Sequence, residues 1–412
     1  MARFREVLRE RNFFLLWLGQ IISQFGDRLN QMALIAIVYS RAPGSAFELA
    51  KLLSFTIIPA FIVSPIAGAF VDRWDRKKTM IVCDILRGLI VLTIPIAFLA
   101  LKPSFPIYIA VFLIFTVSCF FLPARLAIIP DLVSADRLLA ANSLFSLTGM
   151  MGAIGWFVVG GLLIEYCGLK GGLYLNSLIY FLSALAITFI TWKKRHPQQR
   201  LDTIEIKEII KVSLLTEIKD GLRYLRNNRE VRFVFNMIFI LMAGTGAAYA
   251  VAIVFVQEAM GSITRDLSLL GLFLGGGFFV GSILYGRIGH CFPKPKIIFA
   301  CLILSGITMF IFTALLRWTE SFEFVYVMAM ILGLVVAPIG ISANTLIHEV
   351  ILERMRGRIF SSLGIVMNFA LLVFMLIASR LAEYIDRSWI LYSVSIFYGV
   401  SGILGFILRK DS

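Results

Sequence analysis

The chain has 412 residues, 59% of them hydrophobic and 16% charged, with a mean hydropathy of +0.89. That balance excludes an ordinary soluble protein, because apolar blocks long enough to cross a bilayer recur from end to end with no soluble domain of note between them. The formal net charge of +14 comes mainly from Lys and Arg in the short connections between blocks, a pattern that sets membrane topology and does not point to nucleic acid.

The opening run MARFREVLRERNFFLLWLG has the look of a signal peptide. Its apolar region is too long, contains Asp27 and meets no small-residue cleavage site, so it is expected to be retained. Apolar blocks bounded by charge, Gly and Pro predict spans at about 12–39, 46–70, 79–100, 106–124, 139–163, 171–191, 231–257, 267–286, 296–316, 323–343, 358–380 and 388–408. This is an all-α polytopic membrane protein in expectation. Twelve transmembrane helices would form two six-helix, pseudo-symmetric bundles around a central cavity. An even number of spans leaves both termini on one side, and most of the 39 Lys and Arg lie there, which places both termini in the cytoplasm of a cell-membrane protein.

The first predicted span carries an acid and a base near its middle, in the stretch SQFGDRLNQ from Ser23 to Gln31. At 100° per residue Gln20, Gln24, Asp27 and Gln31 form one narrow polar stripe, with Arg28 and Asn30 flanking it. Such a stripe on an apolar helix is expected to face a wet bundle interior. Asp27 then serves as a carboxylate that takes up and releases a proton as substrate binds. The structural alternative is a fixed ion pair with Arg28 or with another helix, holding the helices in register.

Further along, Asp84 and Arg87 stand three residues apart near the cytoplasmic end of the third span, the spacing of a local ion pair. Asn142, Asn236, Asn344 and Asn368 either line a cavity or cap helices. His196, His290 and His348 fall in predicted cytoplasmic loops. Cys83, Cys119, Cys167, Cys291 and Cys301 lack metal-ligand spacing and are expected to pack as free thiols. One long cytoplasmic segment divides the chain into an N-terminal bundle (1–191), a linker (192–230) and a C-terminal bundle (231–412). Within the linker Leu215, Ile218, Leu222 and Leu225 share a helical face, which predicts an amphipathic helix at the headgroups. The halves echo each other, Arg73 with Arg287 and Pro123 with Pro338.

After the second span comes GAFVDRWDRKKTM. Its Gly68, Asp72, Arg73, Arg76 and Lys77 match G-x-x-x-D-R-x-x-R-K, and the chain resembles the major facilitator superfamily on that signature. The resemblance implies a conformational latch in this loop that helps hold the outward-facing state. Gly68 would permit close helix approach. Asp72 would meet another helix N-terminus, and Arg125 could reach a latch carboxylate or simply mark topology. The second-half counterpart reads Gly286-Arg287 and lacks the carboxylate. CDILRG, PARLAIIPDLV, LLAANSL, KDGLRYLRNN and NTLIHEVILERMRGRIFSSLG together are similar to the branch holding enterobactin exporters and macrolide-efflux pumps. His348 departs from that branch's usual glutamine. Gly155-Trp156 stands where antiporters of this kind often have Gly-Pro.

The expected activity is secondary active, proton-coupled efflux of amphipathic or hydrophobic small molecules by alternating access, drugs or siderophore-like compounds among them. Lysophospholipid translocation is the alternative, because such transporters share Phe25-Gly26-Asp27. A ferroportin-like metal exporter is a weaker one, since no soft or imidazole ligand faces the predicted cavity. No nucleophile with its base, P-loop pattern or metal-ligand cluster argues for an enzyme or for direct use of ATP. Neither cofactor nor nucleic acid is expected. The partners are bilayer lipid, protons and the substrate, and a chain holding both halves suits a monomer.

Overall fold

The structure, a computed structural model, describes residues 2–71, 73–100, 105–191, 229–318, 322–350 and 356–408. Asp72, His196 and the amphipathic stretch of the linker lie outside the described residues. Among the described residues every regular element is helical. They are α1 (Ala2–Arg9), α2 (Arg11–Arg41), α3 (Ala46–Ile62), α4 (Ser64–Val71), α5 (Arg76–Ala100), α6 (Phe105–Leu132), α7 (Leu138–Thr188), α8 (Arg229–Met260), α9 (Arg265–Ile288), α10 (Lys294–Trp318), α11 (Glu323–Val350), α12 (Arg356–Leu381) and α13 (Arg387–Leu408), with two short 3-10 turns.

Among the described residues nine helices are long and apolar enough to cross a membrane. The long α7 supplies two of the predicted legs, because Gly168 (φ 69°, ψ 167°) breaks it at a left-handed position that only glycine adopts without strain. The polar stripe of α2 lowers its hydropathy. The second predicted span is interrupted at Val63, just before Pro65, whose missing N–H is tolerated in the first turn of α4. All twelve predicted blocks therefore correspond to helix, and their surfaces are apolar in rows. On α13 Ile396, Val400, Ile403 and Ile407 are about half exposed (47–60%), the pattern of a helix whose solvent is lipid.

The chain divides into two compact units, unit 1 being Met1–Ile37 with Leu52–Leu214 and unit 2 being Val38–Lys51 with Leu215–Ser412. The expected boundary thus needs an exception. The end of α2 and the start of α3 group with unit 2, where Arg387 donates to the carbonyl of Gly44 and to Glu258. Nearby, Ser45 Oγ donates to Glu383 Oε1 (3.4 Å) and the Arg380 guanidinium sits 5.1 Å from the Phe47 ring centre. Gly44 has φ 77° there, so the turn between the helices needs its missing side chain.

In unit 1, α5 packs on α6 and α7. In unit 2, α9 packs on α11, α10 on α13 and α8 on α12. The α9–α11 crossing is backbone to backbone. A methyl group at Gly277 would run into the Met330 carbonyl, one at Gly281 into Leu334, and one at Gly333 into Leu274, so small residues set the approach. Gly277→Val is expected to cost about 1–3 kcal/mol, the scale of overpacking, read as a lower melting temperature in detergent.

At the start of α13, Asp386 caps the helix, accepting from Ser388 N (2.9 Å) and Ser388 Oγ (2.6 Å) with Arg317 3.5 Å away. The Ser388 hydrogen bonds, with Arg317 and Arg387 in support, hold its carboxyl below the usual carboxylate value. A carboxyl depressed in the folded state stabilises above its unfolded value and loses that contribution as pH falls through the folded one. Acid titration should therefore loosen this cap below about pH 4, and Asp386→Asn should remove that sensitivity, seen as a smaller difference in melting temperature between pH 7 and pH 3.

Candidate functional site

Arg87 on α5 is 1% exposed, and its buried charge organises the centre of unit 1. Its guanidinium lies between two rings, 4.4 Å from the centre of Phe121 and 4.6 Å from that of Tyr180. It donates to Asp84 one turn earlier, to Ser23 Oγ (3.1 Å) and, from Nη1, to Asp27 Oδ1 (3.1 Å). Asp84 has no exposed surface and also accepts from Ser183 Oγ at 2.6 Å. Tyr180 donates its hydroxyl to the same Asp27 Oδ1 (2.8 Å). Two carboxylates therefore share one guanidinium, and they differ in setting. Asp84 is sealed in protein, whereas the Asp27 side chain is 47% exposed.

Close helix approach makes this reach possible. A side chain at Gly26 would crowd Ile179, Asn176 and Tyr180 at 3.1–3.2 Å, so the glycine before Asp27 lets α2 lie against the second leg of α7. Asp27 opens onto a cavity of about 290 Å³. Its walls come from Ser23, Gln24, Asp27 and Arg28 on α2, Arg87 on α5, Ser118, Phe121, Leu122 and Arg125 on α6, and Gly149 on α7.

The expected polar stripe of α2 divides. Gln24, Asp27 and Arg28 line the cavity, while Gln31 accepts a hydrogen bond from Arg28 (2.9 Å). Gln20 and Asn30 are buried against α7 instead, Gln20 donating to the Phe145 carbonyl (3.5 Å) and Asn30 accepting from Asn176 (3.4 Å). The reason is geometric: α7 covers one edge of the stripe. Of the two expected pairings for Asp27, the one with another helix is present, and Arg28 turns to Gln31.

Arg125 lines the same cavity. Helix α6 continues through Pro123 and Pro130 to Leu132, past the predicted end at 124, so Arg125 is a cavity residue. Sequence reasoning missed the wider role of Arg87, whose spacing from Asp84 already gave a sufficient local explanation. It also missed Tyr180, Ser183 and Phe121. Two ionisable residues facing a third across adjacent spans were the available signal for Arg87, whereas Tyr180 had none.

A family model described as Major Facilitator Superfamily matches residues 16–279 and 233–412. The chain belongs to the major facilitator superfamily. It is a multi-pass membrane transporter and not an enzyme. Its relatives include macrolide efflux protein A of Streptococcus pyogenes, 26% identical over 397 residues and covering 92% of each chain. Another is a Bacillus subtilis (strain 168) protein named as bacilysin exporter BacE, 26% identical over 369 residues, covering 86% of this chain and 84% of that one. Among solved structures, a bacterial homologue of the iron transporter ferroportin in the inward-facing state has a TM-score of 0.74 at 14% identity, covering 96% of this chain and 98% of that one. The peptide transporter POT with alafosfalin has a TM-score of 0.72 at 14% identity, covering 97% and 94%. These structural likenesses carry the fold alone.

Of the superfamily signature residues, Gly68 lies in α4, Arg73 follows that helix, and Arg76 and Lys77 open α5. Arg76 donates to Asp131 Oδ2 (2.8 Å) and to the Ala127 carbonyl (2.7 Å), and Lys77 donates to the Thr188 carbonyl (2.8 Å), so both tie the end of unit 1 together. Arg73 is half-buried. At Gly68 a side chain would meet nothing within 4 Å among the described residues. In the second half Arg287 is exposed at the end of α9. His348 falls in the last turn of α11, which outlasts its predicted end, and His290 lies in a short 3-10 turn. Of the cysteines, Cys83 is buried and Cys119 and Cys301 half-buried, whereas Cys167 and Cys291 are exposed and do not pack as expected.

Proposed function

We propose that this chain exports amphipathic small molecules across the cell membrane by alternating access, in exchange for protons taken up at Asp27. The observation that carries the reading is the division of labour between the two carboxylates on Arg87. Asp84 is sealed against the Arg87 guanidinium and gives it a second carboxylate, so a proton arriving at Asp27 does not leave the buried cation without a partner. Both donors to Asp27 use Oδ1. Oδ2 is left for a proton or for a donor on the cargo, and competition between the two is what exchange requires. Phe121 and Leu122 give the cavity apolar wall for the rest of the molecule.

The names of the two curated relatives, for macrolide efflux and bacilysin export, support the direction of transport. Charge asymmetry supports cytoplasmic termini and placement in the cell membrane. With both repeats in one chain, a monomer suffices. The test is accumulation of a radiolabelled macrolide in cells with and without the protein. Lower accumulation in producing cells is expected. Unchanged accumulation together with restored lysophospholipid uptake would replace this reading by lipid translocation.

A further inference from the structure

We propose that Arg28 and Arg125 form an anion-binding subsite that takes an acidic group of the cargo. The inference rests on reading this cavity as the transport site, and it names the chemical class of molecule carried.

The observation is an imbalance of partners. Three guanidinium groups, Arg28, Arg87 and Arg125, line the cavity, and two carboxylates serve them, Asp27 and the sealed Asp84. Both carboxylates are engaged by Arg87, so the surplus positive charge resides on the other two. Among the described residues Arg28 has a single hydrogen bond, to the neutral amide of Gln31. Arg125 donates no hydrogen bond among the described residues, and its buried Nε lacks any acceptor. A guanidinium in a half-enclosed apolar wall without an acceptor is costly, and its planar fork matches a carboxylate or phosphate. One monoanionic group between them brings the cavity and its wall to neutrality.

The same arrangement sets what the cargo carries. A donor group competes with the proton at Asp27, while an acid is held by the arginines. The favoured molecule is an amphipath bearing both, and a purely cationic one, a macrolide among them, is still carried through its donor to Asp27 but is held more weakly.

Matched fluorescent amphipaths test this on the full chain in nanodiscs. N-dansylglycine is compared with its neutral amide, and lysophosphatidic acid with the corresponding monoacylglycerol as competitors. The acid is expected to bind at least about tenfold tighter than its amide, the scale of a charge-assisted hydrogen bond. Arg28→Gln and Arg125→Gln should each lower that preference severalfold, and Arg125→Lys should keep part of it. A preference confined to the phosphate pair identifies a lipid headgroup as the source of the same anion. Equal binding of acid and neutral partner in both pairs, or no saturable binding of either acid, overturns the proposal. Macrolide accumulation is scored separately, so an acid preference without export rejects the exporter reading alone.

Discussion

Replacing Arg87 with Met lowers the stability of unit 1 by about 3–5 kcal/mol, the scale for removing one partner of a buried ion pair. The loss follows from what remains. Asp84 has no exposed surface and keeps only serine hydroxyls, with Ser183 at 2.6 Å and Ser23 at 3.5 Å. Phe121 and Tyr180 lose the guanidinium packed between them. Removing both charges, as in Arg87→Met with Asp84→Leu, should recover most of the loss, because a buried pair is often no better than apolar residues of similar volume. Melting temperatures of the four proteins in one detergent form the double-mutant cycle. A cost below about 1 kcal/mol for Arg87→Met would mean that Asp84 is not the buried charge described.

Asp27→Asn is the second large effect. The variant keeps its fold, since Asp84 still answers Arg87, but it can neither bind nor release a proton, and exchange should fall to background. Tyr180→Phe should act in the same direction and by less, roughly tenfold, because it removes one neutral donor to Asp27 while leaving the ring against Arg87. Both are read as initial rates of substrate export at matched protein levels. Wild-type rates in Asp27→Asn would return this residue to a purely structural role.

The twelve helical blocks were legible because lipid demands long apolar runs with internally satisfied backbones, and Gly, Pro and charge punctuate them. Asp27 was legible for the same reason, as a charge that an apolar helix tolerates only beside a partner or water. What lay beyond reach was lateral. Periodicity gives the face of α2 on which Gln20 and Asn30 lie, but not that α7 covers that edge. Nor does it show that Tyr180, about 150 residues away, reaches Asp27 over the missing side chain of Gly26. For Arg125 the missing signal was a boundary: the predicted span ends at 124, whereas α6 continues to Leu132 and carries Arg125 on the cavity wall. The segment Val38–Lys51 groups with unit 2, where Gly44 and Ser45 meet Arg387 and Glu383 more than 300 residues distant, and no local signal announces it.

Proton movement in everted membrane vesicles decides whether Asp27 carries the exchanged proton. Respiration acidifies the vesicle interior, reported by quenching of an acridine dye, and a macrolide or an acid-bearing amphipath is then added. A substrate-elicited recovery of fluorescence in wild type, absent from Asp27→Asn present at the same level, is the predicted result. The same recovery in both proteins would rule Asp27 out, because protons would then be exchanged without its carboxylate.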